Sequence, residues 1–441
     1  MQLSRWEEFE AFVEETMEAE QIPGMAVALS QYGKTIYKKG FGKRDLDSSE
    51  PVTPETIFGI ASITKSFTAL AIMKLVEEGK IEIDDAVTKY LPSYRLKGYD
   101  NSNEIKIHHL LSHTTGLATM KRMEQLNGFE EHLSYINEIE RTYLGKPGEY
   151  FCYNNDMSLL LGTIIERVTG ENYQDFIYKL LLKPLKMDRT TYNLDELHKF
   201  DNVTKPYILD GGKAEICSWP TLGNYAVGGG IRSTVTDLLK YGNVYVGALE
   251  KEIIGHQYTA RMAKPVHKIN RNSFYGYGLK TTPTYSGVTL VEHGGGQPGV
   301  SSNFGFIPER GIVAVVLTNL SDVSADAIWL AAVNTVLNLP IDQKRSTEPY
   351  FEMNPANFLR MVGTYRSGEG SEVVITLEDG MMTAIISNRT YKLRASDERT
   401  LVILPIEKPI QFFFDEENNA WAIFLGLRML VKSASHSPVS S

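Results

Sequence analysis

Apolar residues first recur at helical spacing: Trp6, Phe9, Phe12, Val13 and Met17 follow Ser4, with Glu7 three residues after that serine. This pattern predicts an amphipathic helix opened by a capping box. After Pro23-Gly24 the period changes. MAVALS and TIYKKGFG flank a turn around Gln31-Tyr32-Gly33-Lys34, which predicts a hairpin of a main sheet. The next repeat, Phe67, Leu70, Ile72, Met73 and Leu75, predicts a long buried helix running from Ser62 to the glycine at 79, with Ser62 at or near its N-terminus. From about Asp84 to Lys199 helical patterns dominate, Met157 to Thr169 among them, and predict a helical subdomain inserted in the sheet domain. Strand patterns return in SFYGYGLKT, GVTLVEHGGGQPG and NFGFIPERGIVAVVLTN, the last with Pro308-Glu309-Arg310-Gly311 at a hairpin tip. A helix predicted over Ala325 to Leu337 ends this part.

Beyond the polar stretch NLPIDQKRSTEPY the texture becomes one of short alternating strands: VVITLEDGMMTAIIS, TYKLRAS, TLVILP and IQFFFDEENNAWAIFLG, with tight turns at Glu378-Asp379-Gly380 and Glu416-Glu417-Asn418-Asn419. Closely spaced strands of this kind predict a small up-and-down barrel. A chain of 441 residues also exceeds what one core usually serves. The expected fold class is therefore α+β: an antiparallel sheet flanked by helices with a helical subdomain (residues 1–340), a linker (341–350) and a small antiparallel β-barrel (351–441).

Composition narrows the function. The chain is 42% hydrophobic and 22% charged, with a formal net charge of -9. An acidic chain without a long basic run is a poor partner for nucleic acid, because phosphate binding needs clustered Lys and Arg. The first residues lack the basic start and apolar run of a secretory signal, and no stretch reaches the roughly 18 apolar residues of a membrane span. Cytoplasmic location is the expectation, with secretion or a surface location arising only if a leader was removed. Cys152 and Cys217 are too few for a disulfide framework.

Ser62-Ile63-Thr64-Lys65 is the first stretch with chemistry in it. Residues three apart share a helix face, so the Lys65 amine can reach the Ser62 hydroxyl. The helix N-terminus favours a developing alkoxide, and a partly desolvated lysine can act as a base. The same four residues also suit a helix cap followed by a solvated lysine. His108, His109 and His113 near Ser112 come without HExxH or a Cys/His framework, which favours a structural role. No Gly-x-Ser-x-Gly elbow is present, so the α/β-hydrolase reading lacks its nucleophile.

Three ordered motifs add context: FGIASITKSFTALAIMKLVEEGKI around Ser62 and Lys65, Tyr153-Asn154-Asn155 in GEYFCYNNDM, and His293-Gly294-Gly295 in VEHGGGQPG. With IHHLLSHTTGL and GGGIRSTVTDLLKYGN between them, residues 20 to 335 resemble the serine β-lactamase and penicillin-binding-protein family, in the branch of class C β-lactamases, D-aminopeptidases and related esterases. The resemblance implies Ser62 as nucleophile, Lys65 and Tyr153 as its proton partners, and an oxyanion hole from the N–H groups of Ser62 and Gly296. It makes Asn155, His293, Gly294 and Gly295 substrate-binding residues, with the third motif as an edge strand. The implied chemistry requires no metal or organic cofactor.

His293-Gly294 stands where many members have Lys-Thr, which help hold a substrate carboxylate, so small peptides, amides or esters, including those with D-amino acids, are the expected substrates. The alternatives are a penicillin-binding protein or weak β-lactamase and, in another class, an inactive peptide-binding or sensor module. The strands from Gly363-Thr364-Tyr365 onward resemble the lipocalin-like appendage of several such relatives. Such a barrel could cover the active-site mouth, in its own or a neighbouring subunit of a homo-oligomer, or serve only as a packing module.

Overall fold

The structure, a computed structural model, describes residues 4–433 apart from 379 and 405. Ser4 and Glu7 form the expected capping box, and helix α1 (Arg5–Glu20) follows it. Strands β1 (Gly24–Gln31) and β2 (Lys34–Gly42) form the predicted hairpin. Helix α2 (Thr64–Glu77) carries the apolar repeat, and helix α3 (Asn155–Thr169) lies within the helical stretch. Six further strands complete the sheet: β3 (His267–Lys268), β4 (Phe274–Tyr275), β5 (Lys280–Tyr285), β6 (Val288–Gln297), β7 (Val300–Ile307) and β8 (Ile312–Thr318). Their order is β2-β1-β8-β7-β6-β5-β4-β3, antiparallel throughout.

Both faces of this sheet are covered, which explains why its central strands read as apolar runs instead of alternating ones. On β1, Met25, Val27 and Leu29 point to one side, where they pack with Phe9 and Val13 of α1 and Trp329 of helix α4 (Ala325–Leu337). Ala26 and Ala28 point to the other side and join Phe67, Leu70 and Met73 of α2. β8 splits likewise, with Ala314 and Val316 on the α1/α4 side and Val313, Val315 and Leu317 on the α2 side. Helix α2 is buried on nearly every side from Thr64 to Met73. It is the axis of the larger core, so a polar residue on it must find its partners inside the protein.

The polar stretch after α4 leads to a closed eight-stranded barrel built in chain order, β9 (Gly363–Arg366), β10 (Glu372–Glu378), β11 (Met381–Ile386), β12 (Arg389–Asp397), β13 (Thr400–Ile403), β14 (Lys408–Phe414), β15 (Ala420–Leu425) and β16 (Arg428–Lys432). Closure removes every sheet edge. The expected turn at Glu378-Asp379-Gly380 includes a residue outside the described ones, as do the first three and last eight residues of the chain. The polar stretch is held in place: Arg345 is ion-paired to Glu292 of β6 at 2.8 Å, and Glu348 accepts from Ser396 of the barrel at 2.6 Å. The barrel wall packs on the sheet domain through Ala422, Phe424 and Met429 against Phe151, Cys152 and Tyr153. Among the described residues no helix is long and apolar enough to cross a membrane.

Candidate active site

Ser62 lies in a 3-10 turn, Ala61–Ile63, immediately before α2, so the α-helix begins two residues later than the sequence pattern predicts. Ala61, the residue before it, has φ +45°, a left-handed conformation that costs an L-residue about 1 kcal/mol. The turn is pinned from the sheet side. Ser302 Oγ of β7 donates to the Ile60 carbonyl at 3.0 Å, and Gly295 of β6 lies so close that a Cβ there would be 2.3 Å from the same oxygen. Glycine at 295 is thus required by close approach to the serine turn.

Lys65, the second residue of α2, is 4% exposed. Its Nζ is 3.2 Å from Ser62 Oγ, 2.9 Å from Asn155 Oδ1 and 2.9 Å from the Gly228 carbonyl. Burial holds this amine well below the ordinary lysine range; Arg428 and Arg122 push it further down, and Glu369 opposes them. The Tyr153-Asn154-Asn155 motif resolves into three tasks. Asn154 caps α3, its side chain accepting from Asp156 N–H at 3.0 Å. Asn155 begins the helix and turns toward Lys65, and Tyr153 lies just outside it with its ring centroid 4.9 Å from Lys65 Nζ. Burial pushes the Tyr153 phenol upward, and the adjacent Ser62 and Arg428 partly offset that. The phenolic oxygen meets no partner at full hydrogen-bond geometry, although it is near enough to Ser62 to feel that hydroxyl.

Only half of β6 is the expected edge strand, and that half carries the third motif. β5 pairs with it only from Val288 to Glu292, the last pair being Glu292 with Lys280, so the strand is interior over its first half. From His293 to Gln297 it pairs with β7 alone, because the chain ahead of Lys280 turns away, and this half leaves one side open. Gly294 and Gly296 are exposed there, and a Cβ at Gly296 would meet nothing within 4 Å. His293 is buried instead. Its Nδ1 is 2.6 Å from the Gly294 carbonyl, which can only accept, so Nδ1 bears the hydrogen and Nε2 accepts from Tyr275 at 2.9 Å. Burial brings its pKa down to about 3, leaving a neutral ring with both nitrogens engaged inside the protein.

The remaining histidine cluster forms no Ser/His pair. Ser112 Oγ donates to the His108 carbonyl at 2.6 Å, while His113 Nδ1 accepts from Asn154 N–H and its ring lies 4.4 Å from that of Tyr153. Several groups that contact Lys65, Asn155, Tyr153 and His293 had no signal in the sequence strong enough to select them. They are the Gly228 carbonyl, Tyr275 and two barrel residues, Glu369 and Arg428. Arg428 stacks on the Tyr153 ring at 4.6 Å and donates to Glu369 at 2.8 Å, and Glu369 accepts from Asn155 at 3.2 Å.

Comparison with known proteins gives this constellation a lineage. A family model described as Beta-lactamase matches residues 9–337. Protein flp of Staphylococcus aureus (strain MW2) is 30% identical over 327 residues, 71% of this chain and 63% of that protein, so the chain spans less than two thirds of that relative's length. Penicillin-binding protein 4* of Bacillus subtilis (strain 168) is 24% identical over 424 residues, covering 91% of this chain and 92% of that protein. Among solved structures, an octameric penicillin-binding protein homologue from Pyrococcus abyssi superposes with a TM-score of 0.72 at 29% identity, over 96% of this chain and 99% of that one. Ordered motifs, sheet, helices and a family match over three quarters of the residues agree, and the chain belongs to the beta-lactamase family.

Proposed function

We propose that this protein is a serine hydrolase that forms an acyl-enzyme at Ser62 and acts on small peptides, amides or esters, D-amino-acid derivatives among them. The carrying observation is the surroundings of Lys65 Nζ. Two of its three neighbours, the Asn155 Oδ1 and the Gly228 carbonyl, can only accept hydrogen bonds. A neutral amine has two N–H groups and one lone pair. With both N–H groups so engaged, the lone pair is left for the Ser62 hydroxyl.

As Oγ bonds to the carbonyl carbon, its proton moves to Lys65, which becomes an ammonium. The negative oxygen of the tetrahedral intermediate is met by the N–H groups of Ser62 and Gly296, donors worth about 3 kcal/mol each in other enzymes. Tyr153, kept as a neutral phenol by burial, relays a proton from Lys65 to the leaving amine or alcohol. Water then attacks the ester and returns the proton to Ser62 by the reverse route. An extended substrate fits along the open half of β6, where Asn155 and the backbone at Gly294 and Gly295 are its polar contacts.

The neutral, internally bonded His293 provides no cation for a substrate carboxylate, which favours peptides, amides and esters over penicillins. A penicillin-binding protein is the second reading, favoured by similarity over nine tenths of the chain to a protein of that name. The test is turnover of D and L p-nitroanilides, p-nitrophenyl esters and a chromogenic cephalosporin by the protein and by Ser62→Ala. Rates should fall by about three to six orders of magnitude in the variant. Equal turnover by both proteins would refute Ser62 as nucleophile, and a stable penicillin adduct at Ser62 would select the second reading.

A further inference from the structure

Two loops of the barrel enter the serine cleft. The loop between β9 and β10 rests on Thr119, where a Cβ at Gly368 would be 1.8 Å from the Thr119 carbonyl, so only glycine lets it seat. The turn before β16 is tied down by the Leu427 carbonyl, which accepts from Tyr153 N–H at 2.9 Å. These anchors deliver Glu369 and Arg428, 16% and 22% exposed, to the residues around the base.

The contacts form one line: Arg428 donates to Glu369 at 2.8 Å, Asn155 Nδ2 donates to Glu369 at 3.2 Å, and Asn155 Oδ1 is 2.9 Å from Lys65 Nζ. A carboxylate only accepts, so the end of the Asn155 amide that faces Glu369 must be its NH2. That leaves the oxygen for Lys65. Turned over, the amide would aim its own N–H at the lysine lone pair and compete with Ser62 for it.

We infer that Glu369 and Arg428 are positioning residues of the catalytic apparatus: Glu369 fixes the Asn155 amide so that the Lys65 lone pair is left for Ser62, and Arg428 holds Glu369 there and balances its charge. The inference rests on the serine-hydrolase reading. The charges facing Lys65 fit it. Tyr153 and the buried rings of His113 and His293 are uncharged, so the balance at the amine is set by Glu369 against Arg428 and Arg122. Three of the groups that bear on the base thus sit on, or are oriented by, a barrel that follows it by some 300 residues.

The test uses the full chain labelled with 13C-lysine, the Lys65 ε-carbon signal being assigned by its loss in Lys65→Met. Its titration reports the protonation of the amine without any substrate. Arg428→Met should raise the midpoint by about one pH unit, Arg428→Lys should restore it, and Glu369→Gln should lower it. Glu369→Gln can donate to Asn155 as well as accept from it, so it fixes the amide less firmly and should slow acylation by a p-nitrophenyl ester several-fold; Glu369→Ala leaves the amide free and should lose about ten- to a hundredfold. Thiol labelling of Cys152, which is buried under the barrel, checks docking in each variant. If Arg428→Met undocks the barrel, Glu369→Gln decides. Midpoints that stay at the wild-type value in docked variants would overturn the inference. Absence of acylation in the unmodified protein would instead defeat the hydrolase reading, and the titration would still decide the charge balance.

Discussion

Glu292 and Lys65 are both ionisable residues buried within one domain, at 1% and 4% exposure, and the fold treats them in opposite ways. Glu292 is surrounded by compensation: Arg345 at 2.8 Å, Lys280 at 2.9 Å and the Asn303 amide at 2.7 Å. Its carboxyl is held down to about 2, because two cations and a donor outweigh desolvation. Lys65 meets only neutral oxygens among its hydrogen-bond partners, with Arg428 and Arg122 near by, and is driven toward the uncharged amine. A buried group ringed by opposite charges stays ionised, whereas a buried amine whose hydrogen-bond partners are neutral is driven toward its uncharged form, the form a base requires.

The contrast can be broken most strongly at Glu292. Arg345→Met removes the partner that ties the stretch after α4 to the sheet, and should destabilise the fold by about 3 to 5 kcal/mol in urea unfolding. Acylation of Ser62 in the folded variant should be unchanged. The pH dependence follows from the depressed carboxyl: its stabilisation is complete above the ordinary value of 4.5 and is lost as pH falls toward 2. The gap in unfolding free energy between the protein and Glu292→Gln should therefore be on the order of 3 kcal/mol at pH 7 and close near pH 2. A gap independent of pH would mean that the ion cluster contributes shape alone.

At Lys65 the expected stability effect is smaller and opposite in sign. Lys65→Met is expected to abolish turnover, yet it should be more stable than the wild type by about 1 to 2 kcal/mol in urea unfolding at pH 7, since the native state no longer holds an amine away from its proton. The unfolded chain binds more protons than the native one at this site, so wild-type stability rises with pH up to about 10.5. The advantage of the variant should shrink over that range, and an advantage that grows would contradict the neutral amine. Smallest is Ala61→Gly, which relieves the left-handed strain before Ser62. A change within about 1 kcal/mol in thermal unfolding is expected, together with slower acylation because the turn loses its rigidity.

Legibility followed sequence distance. Ser62 and Lys65 could be paired on paper because three residues on a helix share a face, and Asn155 and Tyr153 could be added because a motif flanks a helix start. The open side of β6 was only half legible: whether a strand is an edge depends on where its neighbour ends, and the departure of the chain ahead of Lys280 has no signature in β6 itself. His293 shows the same limit. Its residue type suggested a substrate contact, while its burial against Tyr275 is a consequence of how β4, on the far side of β5, sets that tyrosine against it. Glu369 and Arg428 lie in ordinary polar turns, Gly-Glu-Gly and Gly-Leu-Arg, which nothing local separates from solvent-exposed loops.

By itself, then, the sequence determined what periodicity and short spacing can encode: a helix that starts at a serine and carries a lysine three residues on, an antiparallel sheet, and a run of short strands with turns between them. These are properties of neighbouring residues, set by sterics and by the 3.6 and 2.0 repeats of helix and strand. The docking of the barrel on the serine cleft, the orientation of the Asn155 amide and the downward shift of the Lys65 amine were decided only by tertiary structure. Each depends on charges and hydrogen-bond partners brought within a few ångströms from remote segments, where exclusion of water makes those interactions strong.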